Sequence, residues 1–346
     1  MRWSLAAPFI NEQSRPEEKQ WLIPYIPGDR HKFDVVARKQ PLGSWHQKNS
    51  KVTGLKDWQL YWEQGTKALK IKEGGVITLF PQLPAVVGLQ QRLSGKRVPT
   101  VAWQFCVGSC YGGVKHSISK FSMKDINRFV VPTRRELILL HQWLDVPKEH
   151  FKFVPYQVPE IPVIYEEEQE KPFITAIGSA FRDYPTLFEV VEKLNIPTIL
   201  GSSARALEGL TLPKNVEAPL NIGKADCLRF AQQARLNIIP LLVKPQVTAA
   251  GVVTVVEAMR MGRVVIATHE YGMDDYIKHG ETGFLVKPGS VKDLLETVEM
   301  LWNDKELRDR IGKNARRYAV EHFSDEAAGR SLAQILDEVA DEFGMY

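Results

Sequence analysis

The fold of this protein is best predicted from residues 248–268, which read TAAGVVTVVEAMRMGRVVIAT. A loop of small residues runs into an apolar segment typical of a helix, and Gly262 predicts where that helix ends. A buried strand follows at 263–268. Turns at 271–272 and 280–283 then lead to a second apolar run at 284–286. This order of helix, strand, turn and strand predicts a doubly wound sheet with a ligand crevice along one edge.

The beginning of the predicted helix, at Gly251, Val252, Val253 and Thr254, is a candidate binding site for a diphosphate. Backbone N–H groups at a helix start lack intrahelical acceptors, and the helix dipole adds partial positive charge. Glu257 lies about one turn further on and could accept hydrogen bonds from a ribose. The alternative is purely structural, because small residues also permit close packing and an acid near a helix start complements the dipole.

These residues also carry a resemblance to a known family. The run EAMRMGRVVIAT at 257–268, followed by DYI at 275–277, GETGFLV at 280–286 and PG at 288–289, resembles the donor-binding domain of group 1 retaining glycosyltransferases. The resemblance is strong over 172–325 and weak before about residue 75. It implies an α/β protein with the GT-B fold, in which two Rossmann-like doubly wound domains face a cleft.

The resemblance also implies roles for individual residues. Glu257 matches the second acid of the family's paired-glutamate motif, which holds the donor ribose, whereas Ala249 occupies the position of the first acid. Gly178 is followed by Ser179 where the family has Gly–Arg. Arg182 is therefore the predicted cation for the diphosphate, with a surface ion pair to Asp183 or Glu189 as the alternative.

The chain length of 346 residues suits two α/β domains. The predicted boundaries are an N-terminal acceptor-side Rossmann-like domain at 1–157, a Pro-rich and acidic linker at 158–171, and a C-terminal nucleotide-sugar donor-binding domain at 172–324. A final helix is predicted within 325–346, and the resemblance implies that it crosses back to the N-terminal domain.

In the N-terminal half, helical spacing predicts a helix at 55–72, and Thr133 with Glu136 predicts a capping box. A predicted strand at 100–105 leads into a glycine-rich loop at 106–113. Relatives often place a histidine near this strand end, where this chain has Gln104. Gln104 and the loop are predicted to contact the acceptor, and a mobile surface loop is the alternative.

Charge is distributed unevenly along the chain. The net charge is +4, but residues 1–150 hold 23 Lys or Arg against 12 Asp or Glu. This excess predicts either an anionic partner, such as a lipid-linked acceptor, an acidic glycan or a membrane surface, or simply a solvated basic surface. Compact basic clusters with interleaved aromatic residues are missing from the sequence, which argues against nucleic acid.

The predicted location is the cytoplasm, with peripheral membrane contact as an option. The three cysteines cannot form a disulfide framework, and the apolar segment at 1–10 is a poor signal peptide. A metal site at Cys106 and Cys110 is not expected, because no cluster of His or Cys residues lies near them in sequence.

The predicted activity is transfer of a sugar, of hexosyltransferase type, from a nucleotide-diphosphate sugar to an anionic or lipid-linked acceptor. The resemblance implies retention of anomeric configuration and no metal or other cofactor. The alternative is a catalytically inactive glycosyltransferase-like binding or scaffold protein, suggested by Ala249, Ser179 and the missing histidine. A dinucleotide-dependent oxidoreductase is a remote third option, since no Gly-x-Gly-x-x-Gly follows a first strand.

Overall fold

The computed structural model describes residues 1–41, 53–220 and 222–345. The chain divides into two compact units. The first consists of Met1–Val154 together with Asp325–Tyr346, and the second of Pro155–Ser324. Each unit is built on its own six-stranded parallel sheet, as the resemblance implied for the fold class.

The first unit has the strand order β2-β1-β3-β4-β5-β6, with every neighbouring pair parallel. Parallel neighbours need crossover connections, which the helices of this unit provide. The strands are β1 Arg2–Ala6, β2 Lys32–Val35, β3 Gly75–Leu79, β4 Thr100–Trp103, β5 Arg128–Val131 and β6 Phe151–Phe153. The helices are α1 Pro16–Gln20, α2 Leu55–Ala68, α3 Gln82–Ser94, α4 Gly113–Met123 and α5 Arg134–Leu144.

The sheet of the first unit is covered on both faces, which explains why the apolar run of β3 is buried along its whole length. Helices α3 and α4 approach closely, since a Cβ at Gly88 would overlap the backbone carbonyl of Ser122. The predicted cap of α5 is confirmed: the Glu136 amide donates to Thr133 Oγ1 at 3.1 Å. The predicted helix at 55–72 is observed but ends earlier, at Ala68.

The last helix, α11 Asp325–Glu342, belongs to the core of the first unit. Its apolar face, formed by Leu332, Ile335, Leu336 and Val339, packs in one cluster with Trp3 and Leu5 of β1. Gly329 lies so close to the backbone of Tyr25 that a Cβ there would overlap the carbonyl oxygen. Chain segments more than 300 residues apart therefore share one hydrophobic core.

A buried histidine connects this helix to β1. Trp3 Nε1 donates to His31 Nδ1 at 3.1 Å, and Asp337 of α11 lies 3.0 Å from His31 Nε2. Burial lowers the pKa of His31 below its ordinary value of 6.5, although Asp337 partly opposes this shift. A proton on Nδ1 would also face the Trp3 N–H, so two donors would oppose each other.

Stability of the first unit is therefore expected to depend on pH. The unfolded chain binds the His31 proton near pH 6.5, whereas the folded chain binds it only at lower pH, so the free energy of unfolding falls as pH drops below about 6.5. Urea unfolding at pH 7, 6 and 5 measures this loss. His31→Gln is expected to reduce the pH dependence, and an equally steep dependence in that variant would contradict the assignment.

The second unit has the strand order β12-β11-β10-β7-β8-β9, again entirely parallel. Its strands are β7 Ile174–Ile177, β8 Thr198–Gly201, β9 Val216–Glu217, β10 Leu236–Ile239, β11 Val265–Thr268 and β12 Phe284–Val286. Its helices are α6 Tyr184–Leu194, α7 Lys224–Gln233, α8 Val252–Arg260, α9 Val291–Asn303 and α10 Lys305–His322.

The segment 155–173 contains no helix or strand, and its backbone is bonded to the second unit. The Gln232 side chain accepts from the amides of Ile164 and Tyr165 at 2.9 and 3.0 Å. Glu167 forms ion pairs with Arg235 at 2.9 Å and Arg308 at 3.0 Å. These buried or half-buried contacts hold the acidic segment along the surface of the second unit.

Candidate functional site

The turn that precedes α8 has the geometry of an anion-binding helix start. Gly251 is the N-cap residue with φ +80°, a left-handed conformation that glycine adopts most easily. A Cβ at this position would lie 2.8 Å from Ile239 Cγ2. The first intrahelical bond runs from the Val255 amide to the Gly251 carbonyl at 3.1 Å, so the amides of residues 252–254 have no acceptor within the helix.

The loop between β10 and α8 is fixed by side chains from the next strand and its turn. Thr268 Oγ1, at the end of β11, accepts from the Leu241 amide at 2.8 Å. The Tyr271 hydroxyl accepts from the Lys244 amide at 2.7 Å and donates to the Leu242 carbonyl. The loop therefore lies at the carboxyl ends of the parallel strands, where doubly wound sheets bind ligands.

Glu257 is largely buried beside a lysine from the neighbouring helix. Its side chain is 12% exposed. Oε1 forms an ion pair with Nζ of Lys224, and that lysine side chain is 58% exposed. Lys224 is the first residue of α7, so two consecutive helices of the sheet bring these charges together. The sequence prediction missed Lys224, because a lysine that follows a glycine at a helix start resembles many solvated lysines.

Arg182 lies inside the loop that follows β7 and is only 7% exposed. Its guanidinium donates to the carbonyls of Ile177 and Ala180, both at 2.9 Å. Burial lowers the pKa of this guanidinium below its ordinary value. The conformation depends on Gly178, which has φ +116° and lies in contact with the guanidinium, leaving no room for a Cβ.

The alternative surface ion pair for Arg182 is wrong. Asp183 instead caps α6, where it accepts from the Thr186 amide at 3.3 Å, and Glu189 pairs with Lys193 at 2.6 Å. Proximity in sequence suggested these partners, but the side chain of Arg182 is buried and its guanidinium donates to backbone carbonyls instead. A role for Arg182 with a diphosphate stays a prediction.

Replacing Arg182 by lysine is expected to destabilise the second unit by about 2 to 3 kcal/mol, because an ammonium lacks the planar fork whose separate nitrogens donate to the two buried carbonyls. Thermal or urea unfolding measures this loss. Arg205→Lys, at an exposed position of the same unit, is the control and is expected to change stability little. Weaker nucleotide binding with unchanged stability would instead support direct contact with the diphosphate.

Ala249 lies in the fixed loop and is half-buried against the core of the second unit. Its methyl group cannot accept hydrogen bonds, so the side-chain chemistry that the resemblance implied for this position is missing here. Among the described residues, no group of three or more His, Cys, Asp and Glu side chains could hold a metal ion.

In the first unit, Gln104 comes directly after β4 and is 9% exposed. Its φ of +50° is unusual for a residue other than glycine, as is the φ of +60° at Phe80, directly after β3. Backbone strain of this kind is often associated with functional sites. Gln104 and Glu257 belong to different units, and the acceptor contact predicted for Gln104 stays a prediction.

The thiol of Cys110, in the glycine-rich loop after Gln104, is not activated. Burial raises the pKa of Cys110 to about 11, so the thiol stays protonated near neutral pH. The loop then leads directly into α4, a helix that the sequence did not predict.

Comparison with known proteins shows which family the second unit resembles. Residues 201–318, about a third of the chain, match the family model described as glycosyl transferases group 1. This segment contains Lys224, Gly251 and Glu257. This segment is therefore similar to the group 1 glycosyltransferases, and the pair of parallel sheets matches the GT-B fold of similar solved structures.

One curated relative and two solved structures illustrate this similarity. The chain is 35% identical over 82 residues to the capsular polysaccharide biosynthesis glycosyltransferase CapM of Staphylococcus aureus. The matched segment covers 24% of this chain and 22% of that protein. The chain thus spans less than a quarter of this relative's length. Sucrose-phosphate synthase from Thermosynechococcus elongatus has a TM-score of 0.71 at 15% identity, covering 99% of this chain and 100% of that one. Anabaena Alr3699/HepE in complex with UDP-glucose has a TM-score of 0.65 at 13% identity, with 99% and 100% coverage.

Proposed function

We propose that this protein is a glycosyltransferase of hexosyltransferase type, which moves a sugar from a nucleotide-diphosphate sugar to an anionic or lipid-linked acceptor. The observation that carries the proposal is the position of Glu257, about one and a half turns into α8 after the Gly251 cap, within the segment that matches the family model. The structural similarity to a protein crystallised with UDP-glucose is consistent with a nucleotide-sugar donor.

In this proposal the donor diphosphate binds the backbone amides at Gly251, Val252, Val253 and Thr254, where the helix dipole also favours negative charge. Glu257 accepts hydrogen bonds from the ribose hydroxyls. Lys224 is well exposed and paired with Glu257, so its ammonium can move aside when a ribose approaches or remain as a counter-charge.

Catalysis in this proposal rests on electrostatic stabilisation of the departing nucleoside diphosphate. Negative charge grows on the leaving group as the glycosidic bond breaks, and preorganised amide dipoles stabilise that charge without reorganising. We propose that the reaction retains anomeric configuration and needs no metal. The residue that acts on the transferred sugar is unassigned, because Ala249 provides no carboxylate.

On the acceptor side we propose Gln104 and the glycine-rich loop that follows β4. The strained backbone at Gln104 and the excess of positive charge in the first 150 residues support this assignment. An anionic acceptor, free or attached to a lipid, would complement that charge.

The proposed function is tested by incubating the protein with UDP-, GDP- and ADP-linked hexoses and a set of anionic and lipid-linked acceptors. Release of nucleoside diphosphate that depends on an acceptor is the expected result, unchanged by EDTA. Nuclear magnetic resonance of the product then gives its anomeric configuration. A folded protein that binds none of these donors would contradict the proposal and favour a binding or scaffold role.

A further inference from the structure

An unusual stretch of charge lies in the first unit. Between Glu73 and Asp125 the sequence contains no Asp or Glu but six basic residues: Arg92, Lys96, Arg97, Lys115, Lys120 and Lys124. Two of these have acidic partners: Arg92 forms an ion pair with Asp125 at 2.6 Å, at the end of the stretch, and Lys120 pairs with Asp145 at 3.3 Å, beyond it. No ion pair within the described residues neutralises the other four. The segment spanning α3 and α4 is therefore a locally basic surface.

Helix α4 exposes an apolar stripe in the middle of this basic surface. Val114, Ile118 and Phe121 are 78%, 53% and 48% exposed. Their spacing of four and three residues aligns them along one side of the helix. Lys115 and Lys124 lie on opposite sides of this stripe, about 100° and 80° from Val114 around the helix axis. Exposed apolar side chains in a row flanked by lysines define an amphipathic surface helix.

The opposite face of α4 packs against the rest of the first unit, so the apolar stripe must face outward. Ser119, Ser122 and Met123 are buried, and the close contact at Gly88 holds α4 against α3. On the other side, the His116 ring stacks on Trp143 of α5 with ring centroids 5.2 Å apart. The apolar stripe thus cannot be covered by a rotation of the helix within this unit.

The last turn of α3 extends the surface. The Arg92 guanidinium lies 4.4 Å from the centre of the Phe121 ring, and the adjacent Leu93 is 69% exposed. An arginine above an aromatic ring and next to an exposed leucine suits an interface where apolar side chains enter acyl chains and cations meet headgroups.

We infer that the face defined by Leu93, Val114, Ile118 and Phe121 with its flanking cations, here called the α4 face, docks on the surface of an anionic lipid bilayer. A solvated basic surface would not need three aligned apolar side chains. A soluble anion would use the cations alone. Of these three, only an anionic bilayer matches both features, because it offers negative headgroups above an apolar layer.

The location of the α4 face suits this partner. Helix α4 starts directly after the glycine-rich loop, at the carboxyl end of β4, and Lys115 Nζ lies 4.1 Å above the ring of Tyr111 in that loop. A bilayer bound at α4 would thus lie next to the loop proposed for the acceptor. This inference rests on the proposed function, because the bilayer would supply the lipid-linked acceptor. No helix among the described residues is long and apolar enough to cross a membrane.

The inference is tested by sedimentation of the full chain with vesicles of phosphatidylcholine, with or without roughly 30 mol% phosphatidylglycerol, at two salt concentrations. We expect binding to the anionic vesicles only, weakened by salt. The double variants Ile118→Ser with Phe121→Ser, and Lys115→Glu with Lys124→Glu, are each expected to reduce vesicle binding about tenfold or more. The matched control Lys313→Glu with Val320→Ser changes an exposed cation and an exposed apolar residue on α10 and should bind normally.

Several outcomes would overturn the inference. If the double variant Ile118→Ser with Phe121→Ser binds vesicles normally, the apolar stripe plays no part, and the α4 face is only a basic surface for anions. A folded protein without vesicle binding, or a concentration-dependent dimer abolished by the same variants, would assign the face differently. Nucleotide titration of the same samples separates this result from the proposed function: α4 variants should keep nucleotide affinity, and Glu257→Ala should keep vesicle binding.

Discussion

Replacing Glu257 by alanine is expected to weaken nucleotide binding by about 10- to 100-fold, because hydrogen bonds to a charged group contribute roughly 1.5 to 3 kcal/mol. The carboxylate is mostly shielded from water and sits one turn after the proposed diphosphate seat, so the loss should affect the ribose contact directly. Calorimetric titration with UDP, GDP and ADP measures it and also identifies the base.

Matched variants separate the ribose contact from other effects. Glu257→Gln keeps the shape and one acceptor oxygen, so its loss should be smaller. Glu281→Ala removes an exposed acid from the same unit and should leave affinity unchanged. Lys224→Met removes the ion pair while it keeps the carboxylate. Unchanged nucleotide affinity in a folded Glu257→Ala sample would disprove the ribose assignment.

Replacing Gly251 by alanine is expected to destabilise the second unit by about 2 to 4 kcal/mol. A left-handed conformation costs an alanine roughly 1 to 2 kcal/mol, and overpacking against Ile239 Cγ2, 2.8 Å from the new Cβ, adds roughly another 1 to 2 kcal/mol. The turn that presents the amides of residues 252–254 would shift as well, so nucleotide affinity should fall along with stability.

A second glycine separates the conformational cost of a left-handed alanine from the cost of overpacking. Gly280 has φ +77°, close to that of Gly251, but a Cβ there would meet no atom within 4 Å. Gly280→Ala should therefore show only the conformational cost of about 1 to 2 kcal/mol. The difference between the two variants in urea unfolding measures the contact with Ile239. Equal losses would show that the loop before α8 can relax, contrary to the fixed geometry described above.

Local sequence patterns determined much of the second unit. The glycine before α8, the apolar period of that helix and the β-branched run of β11 predicted helix, strand and turn in the right order. These signals are local: a left-handed cap favours glycine, and a strand buried on both faces is continuously apolar. The same residues carried the family resemblance and singled out Glu257.

In the first unit, local sequence patterns predicted fewer of the elements. The cap at Thr133 was predicted because Thr and Glu three residues apart satisfy helix amides locally. Helix α4 was missed, because it follows a glycine-rich loop and its exposed apolar stripe does not look like a core-facing pattern. Its inward face consists largely of serine and methionine, so sequence periodicity did not reveal it.

The amino-acid sequence by itself determined the helix start at Gly251, because a helix start depends on neighbours within a few residues. Through the family resemblance it also predicted the fold class and singled out Glu257. Only the tertiary structure decided that Lys224 pairs with Glu257, that Arg182 binds backbone carbonyls, and that α11 completes the core around Trp3. Those contacts join residues on different elements or depend on burial. Their partners are chosen by the packing of sheets and helices, which spacing along the chain does not specify.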